Sequence, residues 1–260
     1  MLRIVRERLR QGYRTTRFPK GAPPPLPERF RGLPVVDRGR CLEGCDACRD
    51  ACCRACPTGA VVRGPDGRLA LDLGACLFCG ECAEACPANA VSFTRDYRLA
   101  ARAREHLLIG PSALRLADAL AGDLRRLLGR SLKLRQVSAG GCNACEADAN
   151  VLTTIGWDLG RFGIQFVASP RHADGLLVTG PVTTGMRLAL EKTWKATPDP
   201  KIVIACGACA ISGGPYRGAP EASDGVGGIL RIDLLVPGCP PHPLTLLDGL
   251  LRLLGKMPTK

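Results

Sequence analysis

Residues 76–87 read Cys76-Leu-Phe-Cys79-Gly-Glu-Cys82-Ala-Glu-Ala-Cys86-Pro87, with the spacing C-x2-C-x2-C-x3-C-P. A short turn aims the first three thiolates of this motif at one 4Fe–4S cluster, and the fourth, just before the proline, points to a second cluster. Structural zinc sites usually separate two C-x2-C halves by a longer loop. The spacing therefore favours iron–sulfur ligation over zinc and indicates more than one cluster.

The segment 41–98 contains this cluster-binding unit twice. Residues 55–61, Ala-Cys-Pro-Thr-Gly-Ala-Val, recur 30 positions later as residues 85–91, Ala-Cys-Pro-Ala-Asn-Ala-Val. Two copies of one unit are what a two-cluster ferredoxin-like fold contains. We therefore predict an α+β two-cluster ferredoxin-like domain over residues 41–98.

The first copy departs from the usual spacing, because it has one extra residue before its third cysteine. We predict two four-cysteine sites, the Cys52 site (Cys45, Cys48, Cys52 and Cys86) and the Cys76 site (Cys76, Cys79, Cys82 and Cys56). Cys41 and Cys53 are left over as small apolar residues. Cys53 can replace Cys52 only by breaking the x3-C-P spacing that the repeat supports.

Composition restricts the class of protein. The 260 residues suffice for one large domain or two modest ones, and 46% of them are hydrophobic. Fifteen cysteines without an apolar signal sequence indicate a reducing compartment and metal ligation, not disulfides. No apolar run reaches the roughly 18 residues of a membrane span. We expect a cytoplasmic protein that touches a membrane only peripherally.

Positive charge is concentrated in a basic, proline-rich arm, residues 1–40. The arm has eleven Lys or Arg against three carboxylates, a net of +8 of the +12 carried by the chain. Residues 2–16 are predicted to form an amphipathic helix, and the proline-rich run 21–27 is predicted to be extended. Such an arm suits anionic lipid or an acidic subunit. Nucleic acid is disfavoured, since no nucleic-acid-binding fold is recognisable and aromatics make up only 4%.

The rest of the chain alternates between two periodicities. Residues 99–131 are predicted to be a helical connector, with Leu116, Leu120, Leu124, Leu127 and Leu128 at helical spacing. In residues 132–260, strands are predicted at 132–137, 163–168, 174–179, 201–205 and 231–236, and helices at 146–155, 185–196 and 243–254. This alternation indicates an α/β domain with a mostly parallel sheet covered on both faces.

The last five cysteines all follow predicted strands. Cys142 and Cys145 follow the first, Cys206 and Cys209 follow the fourth, and Cys239 follows the fifth. Loops at the carboxyl ends of parallel strands share one edge of the sheet, so these thiols are expected to meet there. They make one 4Fe–4S site with one thiol spare. The alternative, a nickel–iron centre on the two C-x2-C pairs, leaves Cys239 unexplained.

Six short motifs in this half carry a family resemblance. They are Gly141-Cys-Asn-Ala-Cys145-Glu, Arg161-Phe-Gly163, Ser169-Pro-Arg-His-Ala-Asp174, Thr179-Gly-Pro-Val-Thr183, Cys209-Ala-Ile-Ser-Gly-Gly-Pro-Tyr216 and Pro237-Gly-Cys-Pro-Pro241. In this order they resemble the small subunit of complex-I-related NiFe hydrogenases, including formate hydrogenlyase, and the terminal-cluster subunit of respiratory complex I. Residues 6–97 are similar to the two-cluster ferredoxin subunit of the same complexes, so the chain resembles a fusion of two subunits.

The resemblance implies a flavodoxin-like α/β domain whose proximal 4Fe–4S cluster is bound by Cys142, Cys145, Cys209 and Cys239, here called the sheet-edge site. It implies an electron-transfer subunit with three 4Fe–4S clusters and no catalytic residue of its own. The implied partners are a hydrogenase or complex I-like large subunit, membrane subunits of the same complex, and an electron donor or acceptor protein. The implied location is the cytoplasmic face of a membrane.

Two departures bear on the choice of branch. Complex I subunits of this type have adjacent cysteines where this chain has Cys142-x2-Cys145, and the spaced form resembles the hydrogenase branch. Asp148 matches an acid found in that branch, and Glu146 is closer to the cysteine. A proton relay through either carboxylate is one interpretation, and a solvated helix N-terminus is the other and explains both residues. His172 lies in the family's loop beside Arg171, but a lone histidine is more often structural.

Two alternative functions remain. One is a subunit of a quinone-reducing complex, and the other is a non-redox protein whose metal clusters only stabilise its fold.

Overall fold

The computed structural model describes residues 2–37, 39–41, 50–63, 67–110 and 113–257. The predicted ligands Cys45 and Cys48 lie outside these residues. The described helices are α1 (Leu2–Gln11), α2 (Ala51–Ala55), α3 (Glu81–Glu84), α4 (Gly122–Leu128), α5 (Ala144–Val151), α6 (Thr184–Ala196), α7 (Ala208–Ser212) and α8 (Pro243–Leu253). The described strands are β1 (Pro34–Val36), β2 (Val61–Arg63), β3 (Leu69–Asp72), β4 (Val91–Phe93), β5 (Leu108–Ile109), β6 (Leu132–Ser138), β7 (Ile164–Phe166), β8 (Gly175–Thr179), β9 (Ile202–Cys206) and β10 (Leu234–Val236).

The C-terminal half contains a five-stranded sheet in the order β10-β9-β8-β6-β7, and every neighbouring pair is parallel. Numbered along the chain, this order is 2-1-3-4-5, which is the flavodoxin-like order. Strands β8 and β9 are buried along their whole length, as expected for central strands covered on both faces. The predicted parallel sheet is confirmed, and each predicted strand has a counterpart in it.

Helices cover both faces of this sheet. One core contains Leu152 of the turn that ends α5 and Leu247 of α8, and the other contains Leu190 of α6 and Ile211 of α7. Fully burying one such side chain contributes about 1.5 to 3 kcal/mol. Helix α8 is buried almost throughout, so the Cys239 loop just before it is held from both ends.

The N-terminal half forms two small antiparallel sheets around the repeated motifs. One pairs β1 with β4, and the other has the order β2-β3-β5. Strands of the N-terminal half share a hydrophobic core with α7. At this contact Ser212 Oγ donates to the Gly74 carbonyl at 3.0 Å. A Cβ at Gly74 would lie 2.7 Å from Ile211 Cγ2, so the two halves pack closely at this glycine.

The predicted helical connector is wrong over most of its length. Within the described part of residues 99–131, α-helix occupies only Gly122–Leu128; a short 3-10 turn spans Arg104–Leu107, and β5 pairs with β3. The leucine spacing serves tertiary contacts instead: Leu120 donates its N–H to the Leu253 carbonyl at 2.9 Å and is buried in the same core as α8. The tertiary contacts of these leucines override the helical preference that their spacing indicates.

The basic arm is divided into an exposed helix and a docked segment. Helix α1 has no buried residue, whereas Phe18 is only 3% exposed and belongs to the core of the α/β half. Arg161 holds this docked segment, because its Nη2 donates to the Phe18 carbonyl at 2.7 Å and its guanidinium also binds the Thr16 carbonyl.

Candidate metal centres

The loops after β6, β9 and β10 bring the predicted sheet-edge cysteines together. The pKa of the Cys209 thiol is raised to about 12, chiefly by burial and then by its neighbours Cys239, Cys145 and Cys142, in that order. The three neighbours thus lie within electrostatic range of Cys209. The four predicted ligands form one thiol quartet, as the geometry of parallel strand ends requires.

Cys206 lies on the other side of this quartet, in the core. It is 1% exposed at the end of β9, and its S–H donates to the Cys145 sulfur. This hydrogen bond raises the pKa of Cys206, as does burial, and it lowers the pKa of Cys145. Cys206 therefore contacts the predicted ligand Cys145 from the core, whereas Cys209 is within electrostatic range of Cys142 and Cys239.

Two glycines leave room around the sheet-edge sulfurs. A Cβ at Gly207, whose φ is +93°, would lie 2.6 Å from Cys145 Sγ, and a Cβ at Gly214 would lie 3.0 Å from Cys209 Sγ. Only glycine fits such positions, because a side chain would occupy the space next to the thiols. A quartet of soft sulfur ligands with side-chain-free backbone around it fits an iron–sulfur cluster.

The Cys76 site is a second quartet, in the N-terminal half. The pKa of Cys76 is raised to about 12: burial raises it most, the Phe78 N–H lowers it, and the Cys82, Cys56 and Cys79 thiols raise it. The Phe78 N–H donates to Cys76 Sγ at 3.3 Å. The structure brings together all four residues predicted for this site.

At the Cys52 site the described residues supply half of the predicted quartet. The pKa of Cys52 is raised to about 12, chiefly by burial, then by the adjacent Cys53 and then by Cys86 of the other copy of the repeat. Cys53 lies instead towards Asp50, Arg63 and Cys56, and burial raises its pKa. Of the two adjacent thiols, Cys52 is the one within electrostatic range of Cys86.

The two copies of the repeat share one sulfur-binding turn. The Ala60 N–H donates to Cys56 Sγ at 3.1 Å, and the Ala90 N–H donates to Cys86 Sγ at 3.3 Å. Gly59 and Asn89 both have positive φ just before these donors. The same backbone turn therefore presents an N–H to the last cysteine of each copy.

The two quartets that lie wholly within the described residues are not arranged for a single ion. Across the described ranges, no three His, Cys, Asp or Glu side chains are grouped as they would be around one metal ion. A four-iron cluster places each thiolate on a different iron, so its ligands stand farther apart.

Two quartets are neighbours across the junction of the two halves. Burial raises the pKa of Cys239, and the thiols of Cys145, Cys142 and then Cys79 raise it further. Cys79 belongs to the Cys76 site and Cys239 to the sheet-edge site. Clusters on these residues would face one another through this pair.

The acidic residues beside the sheet-edge site differ from the prediction. Glu146 is only 5% exposed, and Thr179 Oγ1 donates to its Oε1 at 2.6 Å, so the interpretation as a solvated helix N-terminus is wrong for Glu146. Asp148 is partly buried, and burial raises its pKa. Arg171 and His172 are exposed on a 3-10 turn. The sequence carries no signal for the buried Thr179 partner, because the pairing depends on how β8 meets α5.

Two protein-family models match the chain, one in each half. Residues 142–253 match the family described as NADH ubiquinone oxidoreductase, 20 kD subunit, and residues 69–92 match the 4Fe-4S binding domain. The first match includes all five cysteines of the α/β half, and the second includes the motif from Cys76 to Cys86. The second match supports iron–sulfur clusters as the cofactor.

Three curated relatives have similar sequences. The chain is 42% identical over 135 residues to the probable membrane-bound hydrogenase subunit mbhJ of Pyrococcus furiosus, covering 52% of this chain and 81% of that protein. It is 40% identical over 141 residues to formate hydrogenlyase subunit 7 of Escherichia coli, covering 54% and 55%. It is 38% identical over 116 residues to a subunit of the NADH-quinone oxidoreductase of Bacteroides thetaiotaomicron, covering 44% and 59%.

The chain therefore spans little more than half the length of the last two relatives and most of the first. The predicted resemblance is confirmed: this chain belongs to the family of the 20 kD subunit of NADH ubiquinone oxidoreductase.

Proposed function

We propose that the chain is the iron–sulfur electron-transfer subunit of a membrane-associated, complex-I-like NiFe hydrogenase. The observation that carries this proposal is the pair of adjacent thiol quartets, the Cys76 site and the sheet-edge site, which meet at Cys79 and Cys239. The spaced Cys142-x2-Cys145 pair supports the hydrogenase branch, and so do the two relatives named as hydrogenase and formate hydrogenlyase subunits.

Three 4Fe–4S clusters are proposed, one at each quartet. When bound, such clusters accept and release single electrons, at potentials that depend on burial and on hydrogen bonds to sulfur. The residues of this chain hold the sulfurs in place, donate N–H groups to Cys56, Cys76 and Cys86, and exclude side chains from the sheet-edge sulfurs. No residue of the chain is assigned a catalytic role.

The same proposal includes the domain boundaries, the partners and the location of the protein. The repeat segment 41–98 is the two-cluster ferredoxin-like domain, preceded by the arm 1–40, and the flavodoxin-like domain 132–260 follows the connector 99–131. The partners are a large subunit facing the sheet-edge site, membrane subunits, and an electron donor or acceptor protein at the N-terminal half. The protein lies on the cytoplasmic face of a membrane; within the described residues, no helix has the length and apolarity to cross one.

The second candidate is the corresponding subunit of a quinone-reducing, complex I-like oxidoreductase. The similarity to the NADH-quinone oxidoreductase of Bacteroides thetaiotaomicron favours it. Purifying the complex and adding dihydrogen separates the two functions. Bleaching of the cluster absorption by dihydrogen alone is expected for a hydrogenase, whereas bleaching that needs another reductant and is reversed by quinone would support the second candidate.

The cluster count is tested on the chain alone. Anaerobic reconstitution should give about twelve iron atoms per chain, because three four-iron sites are proposed. Cys76→Ser should lower the iron content by about four, since it removes a buried ligand. The iron and acid-labile sulfide would be measured together with the reductant-dependent loss of visible absorption.

Cys41→Ser is the matched control, because Cys41 is a cysteine outside all three proposed sites. Its iron content should equal that of the unchanged chain. A chain that binds about eight irons, with zinc at the remaining thiols, would remove one of the three assignments. Visible absorption that no reductant bleaches would favour the alternative of a non-redox protein whose metal clusters only stabilise its fold.

Helix α1 is proposed to hold the complex on anionic lipid. Its apolar residues Leu2 and Leu9 are 86% and 79% exposed, and five arginines between residues 3 and 14 accompany them. Basic amphipathic helices of this kind insert their apolar face at the lipid interface and bind anionic headgroups with their basic face. The docked segment around Phe18 then connects the helix to the α/β half.

Deleting residues 2–11 should release the assembled complex from membranes while leaving the iron content unchanged. The deletion ends before Phe18, because removing that buried residue would disturb the core. Sedimentation with vesicles containing anionic or only neutral lipid measures the effect. Release from a partner subunit in detergent, with vesicle binding unchanged, would instead assign the helix to a protein contact, and loss of iron would place it in the fold.

A further inference from the structure

The guanidinium group of Arg31 packs on the turn between Cys79 and Cys82. A Cβ at Gly80 would lie 2.9 Å from Arg31 Nε and 3.1 Å from its Cζ and Nη2. Gly80 has a φ of +93°, a backbone conformation that residues with a side chain rarely adopt. The absence of a side chain there lets a positive charge approach the Cys76 site closely.

The same guanidinium borders the junction between two thiol quartets. Arg31, Phe78 and Cys239 line one cavity of about 230 Å³. Phe78 lies within the Cys76 motif, and Cys239 belongs to the sheet-edge site. The charge therefore lies where clusters at these two sites would face one another.

The backbone around Arg31 is anchored on both sides. The Gly32 N–H donates to the Thr94 carbonyl at 2.8 Å, and the Leu33 N–H donates to the Asp96 carbonyl at 2.9 Å. On the other side, the Phe30 ring packs edge-to-face on His242 at a centroid distance of 5.3 Å. Arg31 is an exposed residue on a fixed segment, not on a free tail.

Arg31 makes no ion pair with any carboxylate that the structure describes, unlike Arg98 and Arg104, which pair with Asp96 and Asp72; Asp148 lines the same cavity but forms no ion pair with Arg31. A cation favours a nearby group more strongly as that group becomes more negative. Reduction adds a negative charge to a cluster, and net charge around a cluster is one of the determinants of its potential.

We propose that Arg31 raises the reduction potential of the cluster at the Cys76 site, and to a smaller extent that of the sheet-edge cluster, by holding a positive charge between them. The inference rests on the proposed function, because it presupposes clusters at both sites. Since Arg31 is exposed, salt should screen the effect.

The test is an EPR-monitored redox titration of the reconstituted full-length chain. Arg31→Met keeps an aliphatic stem over Gly80 and removes the charge, so the midpoint potential of the Cys76 cluster should become more negative. Arg31→Lys keeps the charge and should stay close to the unchanged chain. Lys192→Gln is the matched control, because it removes one exposed positive charge from α6, away from the cavity. The difference between Arg31→Met and the unchanged chain should shrink at high ionic strength.

An unchanged potential in Arg31→Met, with the cluster present, would overturn the inference. An equal negative shift in Arg31→Lys would also overturn it, because packing and not charge would then be responsible. If Arg31→Met assembles too poorly to titrate, Arg31→Gln takes its place. Failure of the unchanged chain to form redox-active clusters would contradict the proposed function instead, so the two failures are distinguishable.

Discussion

Replacing Cys209 with Ala is expected to abolish the sheet-edge cluster. Cys209 stands at the start of α7 within electrostatic range of Cys142, Cys145 and Cys239, and Gly214 leaves its sulfur free of side chains. A cubane that loses one of its four thiolates loses an iron ligand, and the Cys206 thiol is held in the core against Cys145 instead of beside Cys239. The reconstituted variant should contain about four irons fewer than the unchanged chain. Its proximal EPR signal should be absent, and it should deliver no electrons to the large subunit.

Cys206→Ala is the matched control, three residues earlier on the same loop. Its sulfur lies in the core and only donates a hydrogen bond to Cys145, so the cluster should remain. Loss of this donor removes a stabilising interaction from the ligand sulfur, and the cluster potential should shift to more negative values. The stability cost should fall in the usual range of about 0.5 to 3 kcal/mol. Loss of the cluster in Cys206→Ala and its retention in Cys209→Ala would show that the ligand assignment is displaced by three residues.

The sheet and its cysteine edge were predictable because parallel strands impose a simple rule. Buried apolar runs such as β8 and β9 mark central strands, and everything that follows such strands gathers at their carboxyl ends. That rule places Cys142, Cys209 and Cys239 together without any knowledge of their contacts. The 30-residue repeat likewise predicted two equivalent units, and the turns at Cys56 and Cys86 match because local sequence determines a local turn.

The connector and Glu146 show where sequence patterns stop being sufficient. Leucines at helical spacing also suit an irregular segment that packs on α8, and β5 pairs with β3, a strand far earlier in the chain. Neither contact is encoded locally. Glu146 looks like an exposed acid at a helix start, but the Thr179 hydroxyl from a neighbouring strand satisfies it in the interior. Its burial is a tertiary property.

The arm shows the same limit in another form. Its charge predicted a contact with anionic lipid or an acidic subunit, and α1 is exposed, but Phe18 and Arg31 lie on segments held by Arg161 and by the backbone around Thr94. Composition averages over a stretch of chain. The burial of one aromatic ring or the position of one arginine depends instead on its particular neighbours in the fold.

Gly207→Ala is expected to prevent assembly of the sheet-edge cluster although it changes no ligand. The new Cβ would lie 2.6 Å from Cys145 Sγ, so the ligand sulfur must move away from its position. The backbone adds a second cost, because a φ of +93° strains any residue with a side chain by about 1 to 3 kcal/mol. Iron content should fall by about four atoms per chain, with the two other clusters unaffected.

Gly218→Ala separates the clash from the strain. Gly218 has a φ of +75°, but nothing lies within 4 Å of its Cβ position, so this variant carries the backbone cost without touching a thiol. It should unfold at a lower temperature than the unchanged chain and still bind the full complement of iron. If Gly207→Ala also retains its iron, then Cys145 tolerates displacement and the close approach of Gly207 is not required for the cluster. If both variants lose iron, backbone strain near α7 is sufficient and the steric argument at Cys145 is contradicted.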